Sequence, residues 1–583
     1  MGNYRNFKLV YYFVAQATAK TTEEQLNKDI AFFERYMRPD KVYLEPFRGG
    51  VLASAEQTEM CKRVFREHGV EVAGGFTTTM PTPEGDEPKQ RLFDTVCYND
   101  PKMRETLSKA CAFLGEHFNE FIIDDFFFTN CTCDKCRAEK DAFNKAHGIA
   151  DGGWRDYRLS LMEEVSRNVI IAPARKANPD IKITIKYPNW AESYQQTGYN
   201  PKAQRKLFDN IYTGTEARDT VTTDQHLPRY LSYSLMTYFE NMWPGHNGGG
   251  WFDPFDFHIT EQYLEQAYLT AFSKPNELMM FCFQALVNRM NVPALGYQLD
   301  RLDAVLDHAG KPAGIVCYLP DDGQGEDNVQ DFLGMCGLPV VCTPYFPEDV
   351  ACILLTRAAA YDKDIVAKLE RYVAAGGKAV VTSGFVQETL DRGLKALTSV
   401  EIPGRKVSCQ NYRIEWDDHP TVLTFPKGAE RVTIPVCEFR NNATWALVKA
   451  ADTEESFGIL LMDTYGKGKM YTLTVPDSFP DLYKLPREVL TRIRRELSDR
   501  VYIDAASGTS LFTYDNDSFI VYPYVTSAAQ PDTIRVHVKG DVRALNAPLN
   551  QKCIAPLYKK NNETVFELRT QPGDYVLYKI EKE

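Results

Sequence analysis

Short apolar runs alternate with longer amphipathic stretches through the first 310 residues of the chain. Runs that are apolar on both faces and are separated by stretches with helical spacing are typical of a parallel sheet covered by helices. There are eight such runs, at Leu9–Gln16, Lys41–Phe47, Val70–Phe76, Glu120–Phe127, Ile181–Tyr187, Phe208–Gly214, Gly248–Asp253 and Glu277–Phe283. The amphipathic stretches include Thr22–Met37, Met103–His117, Trp154–Lys176 and Gln225–Asn241.

This pattern predicts an α/β fold with a (β/α)8 TIM barrel over residues 1–310, because eight strand–helix units in about 300 residues match that architecture. An open doubly wound sheet is the alternative. It is disfavoured because eight consecutive units would make a very wide sheet, and because polar residues cluster after nearly every apolar run.

The rest of the chain predicts two smaller domains. Residues 311–500 alternate again between strand and helix patterns and indicate a flavodoxin-like α/β domain, with a β-rich insertion near residues 400–450. Its predicted elements are Gly314–Leu319, Asp327–Met335, Cys352–Leu355, Lys363–Ala375, Lys378–Thr382, Phe457–Val475 and Lys484–Glu496. Residues 501–583 alternate with period two, as in Ser518–Tyr522, Thr533–Val538 and Tyr575–Ile580, and predict a small antiparallel β-sandwich.

Composition narrows the function classes. A chain of 583 residues with a net charge of -12 does not offer the basic face that nucleic acid or an anionic membrane requires, so neither is expected as a partner. The start of the chain has no basic segment followed by an apolar one, and the 14 cysteines are scattered, which suits a reducing compartment. We therefore expect a cytoplasmic protein, or a periplasmic or secreted one if a signal peptide has been removed.

Candidate chemistry lies where the barrel strands end, since TIM-barrel active sites are built there. Asp124 and Asp125 interrupt the apolar stretch Phe121–Phe128, where a carboxylate must be paired or have a perturbed pKa. Glu216 ends the sixth strand, two strands away. Glycoside hydrolysis needs two carboxyl groups across a pocket of sugar width, and these three residues are the candidates for them. The alternative is structural: a loop cap and ion pairs with neighbouring cations such as Arg218.

Other polar and aromatic residues fall at the same strand ends and could bind the hydroxyl groups and the faces of a sugar. These candidate substrate-binding residues are Glu45, Arg48, Lys186, Asn189, Trp190, Arg218, Gln225, His226, Trp251 and Asp253. A carbohydrate is the expected partner, and no cofactor is expected for catalysis.

Three cysteines, Cys131, Cys133 and Cys136, directly follow the fourth strand. Three thiols in six residues can bind a structural Zn²⁺ if a fourth ligand joins them, and Cys97, Cys111 and His147 are candidates for it. The alternative is a loop of free thiols.

The order of barrel, flavodoxin-like domain and β-sandwich resembles glycoside hydrolase family 42, the β-galactosidases. The stretch from Leu354 to Val381 is similar to that family's middle domain, which mediates trimers, and a cysteine-rich loop after strand 4 recurs among such enzymes. The catalytic pattern departs from the family, which has Asn-Glu after strand 4 and a Glu nucleophile on strand 7. Here strand 4 ends in Asp124-Asp125 and strand 7 offers Asp253, and a strand-4 Asp with a strand-6 acid looks more like retaining α-galactosidases and α-fucosidases.

These features predict a retaining exo-glycosidase that acts on α-galactoside-like, α-fucoside-like or β-galactoside-like substrates. One of the strand-4 aspartates, with a slight preference for Asp125, would be the nucleophile and Glu216 the acid/base. The roles could be reversed, with Glu216 or Asp253 as nucleophile and a strand-4 Asp as acid, or the barrel could be a sugar-binding protein without activity.

Assembly is the last expectation. The middle domain carries no phosphate-binding glycine motif, and Trp190, Trp243 and Trp251 are expected to be exposed at the barrel mouth, where a neighbouring subunit could cover them. The resemblance implies a closed homo-oligomer, with a trimer first and a dimer second.

Overall fold

A computed structural model describes residues 3–81, 91–149, 152–219, 223, 225–255, 257–451, 455–526 and 529–582. The chain divides into two compact units. The first comprises Met1–His226 and Trp243–Asp303, and the second comprises Leu227–Met242 and Ala304–Glu583.

The first unit contains a closed barrel of eight parallel strands. Each strand pairs with the next in the chain and the last pairs with the first. The strands are β1 Lys8–Phe13, β2 Lys41–Arg48, β3 Glu71–Phe76, β4 Glu120–Ile123, β5 Lys182–Tyr187, β6 Asn210–Gly214, β7 Asn247–Phe252 and β8 Glu277–Met280. All eight coincide with the apolar runs of the sequence, so the predicted TIM barrel is confirmed.

The helices between these strands begin at recognisable caps. Thr22 accepts a hydrogen bond from the backbone of Gln25, Ser54 does the same for Gln57, and Asp100 caps the helix that opens with Pro101. The longer helices along residues 1–306 are Glu23–Glu34, Ala55–Glu67, Pro101–His117, Asp134–Ala146, Trp154–Val165 with its continuation Ala172–Ala177, Leu231–Met242, Thr260–Phe272 and Asn291–Leu306.

The barrel interior is filled by side chains rather than open. Val10, Tyr12, Tyr43, Ala73, Ile122, Tyr212, Trp251 and Met279 form one buried cluster. Below them, at the amino ends of the strands, the Lys41 ammonium contacts the carboxylates of Glu120 and Glu277. A filled interior leaves the carboxyl ends of the strands as the place where a ligand can enter.

The second unit contains a nine-stranded mixed sheet whose first five strands are parallel. In spatial order these five are Val340–Thr343, Ile315–Tyr318, Cys352–Leu355, Lys378–Thr382 and Gly468–Leu473. The antiparallel strands that follow are Ser456–Tyr465, Thr444–Ala451, Asn411–Ile414 and Thr421–Leu423. Its main helices are Val329–Met335, Ile365–Ala375, Ser383–Thr389 and Arg487–Leu497. The flavodoxin-like parallel sheet is confirmed, and Val340–Thr343 is an edge strand that the sequence analysis missed.

Helix Leu231–Met242 belongs to this second unit, although it lies between β6 and β7 in the chain. It packs on the edge strand Val340–Thr343, where the Tyr230 hydroxyl bonds the Val340 carbonyl and Asn241 bonds the Cys342 carbonyl.

The carboxyl-terminal residues of the second unit form two antiparallel sheets, as expected for a β-sandwich. One sheet contains Pro312–Ala313, Thr509–Tyr514, Ser518–Pro523, Val576–Lys582, Val542–Ala547 and Lys552–Ile554. The other contains Val501–Asp504, Asp532–Lys539, Glu563–Thr570 and Tyr558–Lys560. Inward-facing residues of both sheets share one apolar core.

Candidate active site

Asp124, the residue that follows β4, is buried, and both of its oxygen atoms are occupied. Oδ2 lies 2.5 Å from the Arg48 guanidinium and accepts a bond of 3.2 Å from the Thr77 hydroxyl, and Oδ1 accepts the backbone N–H of Asp125 at 2.8 Å. Burial acts to raise the pKa of Asp124, but the positive charges of Arg48 and Lys186 outweigh it and hold the pKa below its ordinary value. Asp124 is therefore an ionised carboxylate fixed in place.

Asp125 is the more accessible of the two aspartates, with 20% of its side chain exposed against 2% for Asp124. Its Oδ2 lies 2.6 Å from the Lys186 ammonium, and its backbone carbonyl accepts the Tyr199 hydroxyl at 2.7 Å. Burial, reinforced by the negative charges of Asp124 and Glu216 and opposed by Lys186, raises the pKa of Asp125 to about 7. Asp125 can hold a proton near neutral pH.

Glu216 approaches the same lysine from the end of β6. Its Oε1 lies 2.7 Å from the Lys186 ammonium, and its backbone carbonyl accepts a bond of 2.7 Å from the Asn189 amide. A Cβ atom placed on Gly214 would lie 2.6 Å from Oε2, so the glycine provides the space for this carboxylate. Burial is the main reason why the pKa of Glu216 is raised.

Lys186 holds the two carboxylates beside one another. Because one oxygen of each group lies within hydrogen-bond distance of a single Nζ atom, these two oxygens are at most about 5.3 Å apart. The ammonium also lies 4.1 Å from the centre of the buried Trp251 ring. The carboxylates that surround Lys186 raise its pKa against the effect of burial, so the group is charged.

Arg48 is the second cation of the site, and Glu45 holds it. Glu45 faces the barrel interior by alternation with Tyr43 on the same strand, and the pairing of β2 with β3 becomes irregular between Leu44 and Phe47. One Glu45 oxygen accepts the Arg48 Nε at 2.8 Å and the Ala15 N–H at 3.0 Å. The other accepts the hydroxyls of Tyr12 and Thr77. Glu45 is thus fully buried and its oxygens are used within the protein, so it positions Arg48 rather than facing a ligand.

Arg218 and Asp253 form a third charged pair at the ends of β6 and β7, with 2.9 Å between Nη2 and Oδ2. Asp253 also accepts the backbone N–H of Phe255 at 3.2 Å. Burial raises the pKa of Asp253 by more than the positive charge of Arg218 lowers it. Asp253 therefore lies one strand beyond Glu216, close enough for its charge to raise the Glu216 pKa.

Aromatic rings line the walls around these charges. Trp251 stacks on Phe281 with 5.0 Å between ring centres and makes a tilted contact with Tyr12 at 4.5 Å. Both Phe281 and Phe126 lie under 6 Å from the Arg48 guanidinium carbon. Phe281 and Phe126 are partly exposed. The site therefore has a charged floor and apolar walls. This combination suits a ligand that has both polar groups and apolar faces.

The sequence predicts that three tryptophans are exposed at the barrel mouth, and the structure places them differently. Trp251 is buried in the barrel interior rather than exposed. Trp190 is partly buried and packs on Phe128 and Tyr199. Trp243 stacks on His246, just before β7 begins, so it lies at the amino end of that strand and not at the mouth.

Two sequence-predicted binding residues lie apart from the charged cluster. Gln225 and His226 are exposed, and neither takes part in the contacts of Lys186 or Arg48 given above. Sequence reasoning also missed Tyr12, Thr77, Tyr199 and Phe281. Thr77 directly follows β3 and could have been found by its position, whereas the tyrosines looked like ordinary core residues.

The predicted cysteine cluster is present and complete. Cys131, Cys133, Cys136 and Cys97 bring their four sulfur atoms within 4.8 Å of one another, so Cys97 is the fourth member. Cys97 lies 3.7 Å from Cys133 and 3.6 Å from Cys136, close to the edge of about 3.8 Å of a tetrahedron with Zn–S bonds of 2.3 Å. The Asn99 amide donates to the Cys136 sulfur at 3.1 Å, as suits a thiolate. The four residues fit a zinc ion.

Comparison with known proteins gives these features a context. Residues 1–300 match the family model "Probable glycosyl hydrolase, catalytic domain", and residues 500–580 match "Probable glycosyl hydrolase, C-terminal domain". Residues 310–478 match the model of the second domain of the uncharacterized protein SSO3021. That protein, from Saccharolobus solfataricus, is 26% identical over 82% of this chain and 83% of its own length.

Solved structures share the whole architecture. Alpha-L-fucosidase isoenzyme 2 from Paenibacillus thiaminolyticus is similar with a TM-score of 0.66, 11% identity and coverage of 99% of this chain and 100% of its own. A GH42 beta-galactosidase from G. stearothermophilus is similar with a TM-score of 0.62, 13% identity and coverage of 98% and 100%. At such identities the likeness concerns the fold, and it confirms the family-42-like architecture.

The barrel and the matched catalytic model together define a glycosidase. The chain belongs to the family of probable glycosyl hydrolases described by that catalytic domain, whose model covers more than half of its residues. Among the described residues, none of the helices has both the length and the hydropathy needed to span a bilayer.

Proposed function

We propose that the protein is a retaining, exo-acting glycosidase in which Asp125 and Glu216 are the catalytic carboxyl pair. The observation that supports this most is their common contact with Lys186, which keeps one oxygen of Asp125 within about 5.3 Å of one oxygen of Glu216 at the carboxyl end of the barrel, as a retaining mechanism requires. The side chains that fill the barrel interior close the site from below, so the terminal sugar of a substrate is the part that would reach the floor.

Asp125 is assigned as the acid/base and Glu216 as the nucleophile. A pKa of about 7 suits a group that must donate and then accept a proton, and the greater exposure of Asp125 puts it nearer the opening, where the leaving group departs. Glu216 lies deeper, next to the positive charge of Lys186. The reverse assignment is the alternative that the experiment below tests.

The reaction would proceed in two steps. The Glu216 carboxylate attacks the anomeric carbon while Asp125 gives its proton to the glycosidic oxygen, so the C–O bond breaks and the aglycone leaves as an alcohol. A water molecule then gives a proton to Asp125 and its oxygen attacks the anomeric carbon, which releases Glu216 and a sugar of unchanged anomeric configuration.

A neutral sugar is the proposed substrate class. Each of the three cations at the site already contacts a carboxylate of the protein: Arg48 contacts Asp124, Lys186 contacts Asp125 and Glu216, and Arg218 contacts Asp253. A substrate carboxylate or sulfate would have to compete with these pairs. Because relatives by fold include a β-galactosidase and an α-L-fucosidase, galactosides of both anomers and α-fucosides are the first compounds to assay.

The carboxyl pair is tested by Asp125→Asn and Glu216→Gln, with exposed Asp180→Asn as the matched carboxylate control. After a screen of aryl glycosides has identified the substrate, Glu216→Gln should lower kcat by roughly 10³-fold or more on every leaving group. Asp125→Asn should lose most activity on alkyl glycosides but much less on 4-nitrophenyl glycosides, whose leaving groups need little protonation. NMR of the first product should show retention.

Near-normal turnover by Glu216→Gln on an alkyl glycoside would disprove the pair. If instead Asp125→Asn is inactive on all leaving groups and Glu216→Gln retains the aryl substrates, the two roles are reversed. Sugar binding without hydrolysis of any glycoside would favour the non-catalytic sugar-binding protein.

We also propose that Cys97, Cys131, Cys133 and Cys136 bind a structural Zn²⁺. The tetrahedral spacing of the sulfur atoms supports it, and such a closed set of thiolates leaves no position for a substrate. The ion would join the loop that follows β3, which contains Cys97, to the loop that follows β4.

Elemental analysis of freshly purified protein should find one Zn per chain, and a strong chelator should lower the melting temperature more than it lowers kcat. Cys131→Ser should reduce the zinc content, whereas Cys553→Ser, at an exposed cysteine outside the cluster, should not. Metal-free protein with unchanged melting and full activity would disprove this site.

A further inference from the structure

Phe93 is an apolar ring that faces solvent next to the proposed active site. Its exposure is 67%, and its backbone has φ of 53°, in the left-handed region that a bulky side chain rarely adopts. An exposed ring and an unfavourable backbone conformation each cost free energy, and such conformations cluster at functional sites. Folding alone therefore gives no reason for a phenylalanine at this position.

The segment that carries Phe93 is fixed by hydrogen bonds. The backbone N–H of Leu92 donates to the Asn130 side chain at 3.0 Å, and the N–H of Met80 donates to the Asp94 carbonyl at 2.9 Å. Thr79 and Thr95 form an antiparallel bridge on the same segment. These bonds tie the residues on both sides of Phe93 to the loops that follow β3 and β4, so the ring has a defined place.

That place is against the residue that follows the proposed acid/base in the chain. The Phe93 ring makes an edge contact with the Phe126 ring, with 5.9 Å between their centres. Phe126 is the residue after Asp125, and its ring lies 5.7 Å from the guanidinium carbon of Arg48. The two rings thus extend from Arg48 in the charged floor to the exposed surface, and the inner ring belongs to the residue that follows Asp125.

We propose that Phe93 and Phe126 form the subsite that binds the leaving group of the substrate. This rests on the proposed function, because the acid/base protonates the glycosidic oxygen and the leaving group must then lie on the side of Asp125. Two phenylalanine rings offer a π surface and no hydrogen-bonding group, so the subsite selects an aglycone with a flat apolar face, such as an aryl ring or the C–H face of a sugar.

The test compares two glycosides of the same sugar, one with a 4-nitrophenyl and one with a methyl aglycone, in the full-length protein. Phe93→Ala should lower kcat/KM for the aryl glycoside roughly tenfold, mainly through a higher KM, and should change the methyl glycoside less than about twofold. Phe93→Trp should restore the aryl substrate. Leu92→Ala, at the exposed neighbouring residue, is the matched control and should leave both substrates unchanged.

A second readout separates this subsite from a general loss of structure. The covalent glycosyl-enzyme no longer contains the aglycone, so Phe93→Ala should not change the rate at which it is hydrolysed.

An equal loss on the methyl and aryl glycosides would overturn the subsite while leaving the proposed glycosidase intact. A change in the oligomer mass of Phe93→Ala would show instead that a second copy of the chain covers the ring. If the wild-type chain hydrolyses no glycoside, the proposed function fails and the subsite fails with it.

Discussion

Lys186 is the residue on which the charge balance of the site depends. Its ammonium is buried with 2% exposure and contacts Asp125 and Glu216 at 2.6 and 2.7 Å, with Asp124 at 3.7 Å. Arg48 pairs with Asp124, which leaves the single charge of Lys186 to Asp125 and Glu216, so one of these two carboxyl groups keeps a proton until the pH rises. The raised pKa of Asp125 indicates that Asp125 is this group.

The pH dependence of activity follows from this proton. A general acid is active in its protonated form, so kcat/KM should fall roughly tenfold per pH unit above the pKa of about 7 of Asp125. On the acid side kcat/KM should also fall, because the Glu216 nucleophile, whose pKa is raised by burial, then takes up a proton. The profile is measured from pH 5 to pH 9 on an alkyl glycoside, with protein stability checked at each pH. Asp125→Asn should lack the alkaline fall when it is assayed on an aryl glycoside. Activity that rises through pH 7 in the wild-type chain would contradict the assignment.

The sequence could indicate the chemistry of these residues but not their separate environments. Asp124, Asp125 and Glu216 were predicted because they end apolar strands. Strand β4 ends at Ile123, so side-chain alternation no longer predicts which of the two following aspartates faces the opening. Alternation with Tyr43 predicts that Glu45 faces inward, but the contact of Arg48 with Asp124 follows an irregular pairing of β2 and β3, which no periodicity reveals.

At the scale of elements, a buried ionic cluster joins three barrel strands at their amino ends. Lys41 of β2 lies 2.9 Å from Glu120 of β4 and 3.0 Å from Glu277 of β8, and its side chain is 4% exposed. Tyr43 donates to the same glutamates at 3.0 and 3.3 Å. Strands that are not neighbours in the barrel are connected across its interior by this cluster.

Lys41→Met should therefore destabilise the protein by about 3–5 kcal/mol, because it leaves the buried Glu277 without its cation. The pKa of Glu277 is already raised by burial, so the folded state holds its proton more tightly than the unfolded state and stability falls as the pH rises through that range. The destabilisation should be larger at pH 8 than at pH 5 in denaturant unfolding. Lys8→Met, at the exposed pair with Glu71, is the control and should cost less than about 1 kcal/mol. Equal losses in the two variants would contradict the prediction.

Elements were easier to predict from the sequence where both faces are buried. The eight barrel strands are short, mostly apolar runs that are buried on both faces, and this distinguishes them from the amphipathic helices between them. Val340–Thr343 was missed because it is a four-residue edge strand, close to a helix end and a proline. Cys97 could be named only as one of three candidates, since its distance from Cys131 in sequence says nothing about contact.

At the scale of the whole molecule, the closed homo-oligomer stays a prediction, and exposed apolar residues of the second unit offer a place to test it. Trp445 and Val422 are 64% and 62% exposed in the β-rich insertion, and exposed apolar patches often mark interfaces.

Light scattering should give a mass near three times the 66.4 kDa of one chain if the closed assembly is a trimer. A dimer would have a mass near twice that of one chain. Trp445→Glu should lower the mass if this surface is buried between copies, and Asp391→Glu, at an exposed position of the same unit, is the control. A mass of one chain at micromolar concentration with full activity would contradict the prediction.

The position of helix Leu231–Met242 in the second unit limits where the chain can be cut into fragments or joined to another protein. The chain leaves the barrel unit after residue 226, returns at residue 243 and leaves again after residue 303. A fragment that ends after the last barrel strand would keep this helix without the strand Val340–Thr343 on which it packs, and would expose Tyr233, Met236 and Phe239 to water. We therefore expect the barrel to be transferable between relatives only when the second unit, which includes this helix, is exchanged with it.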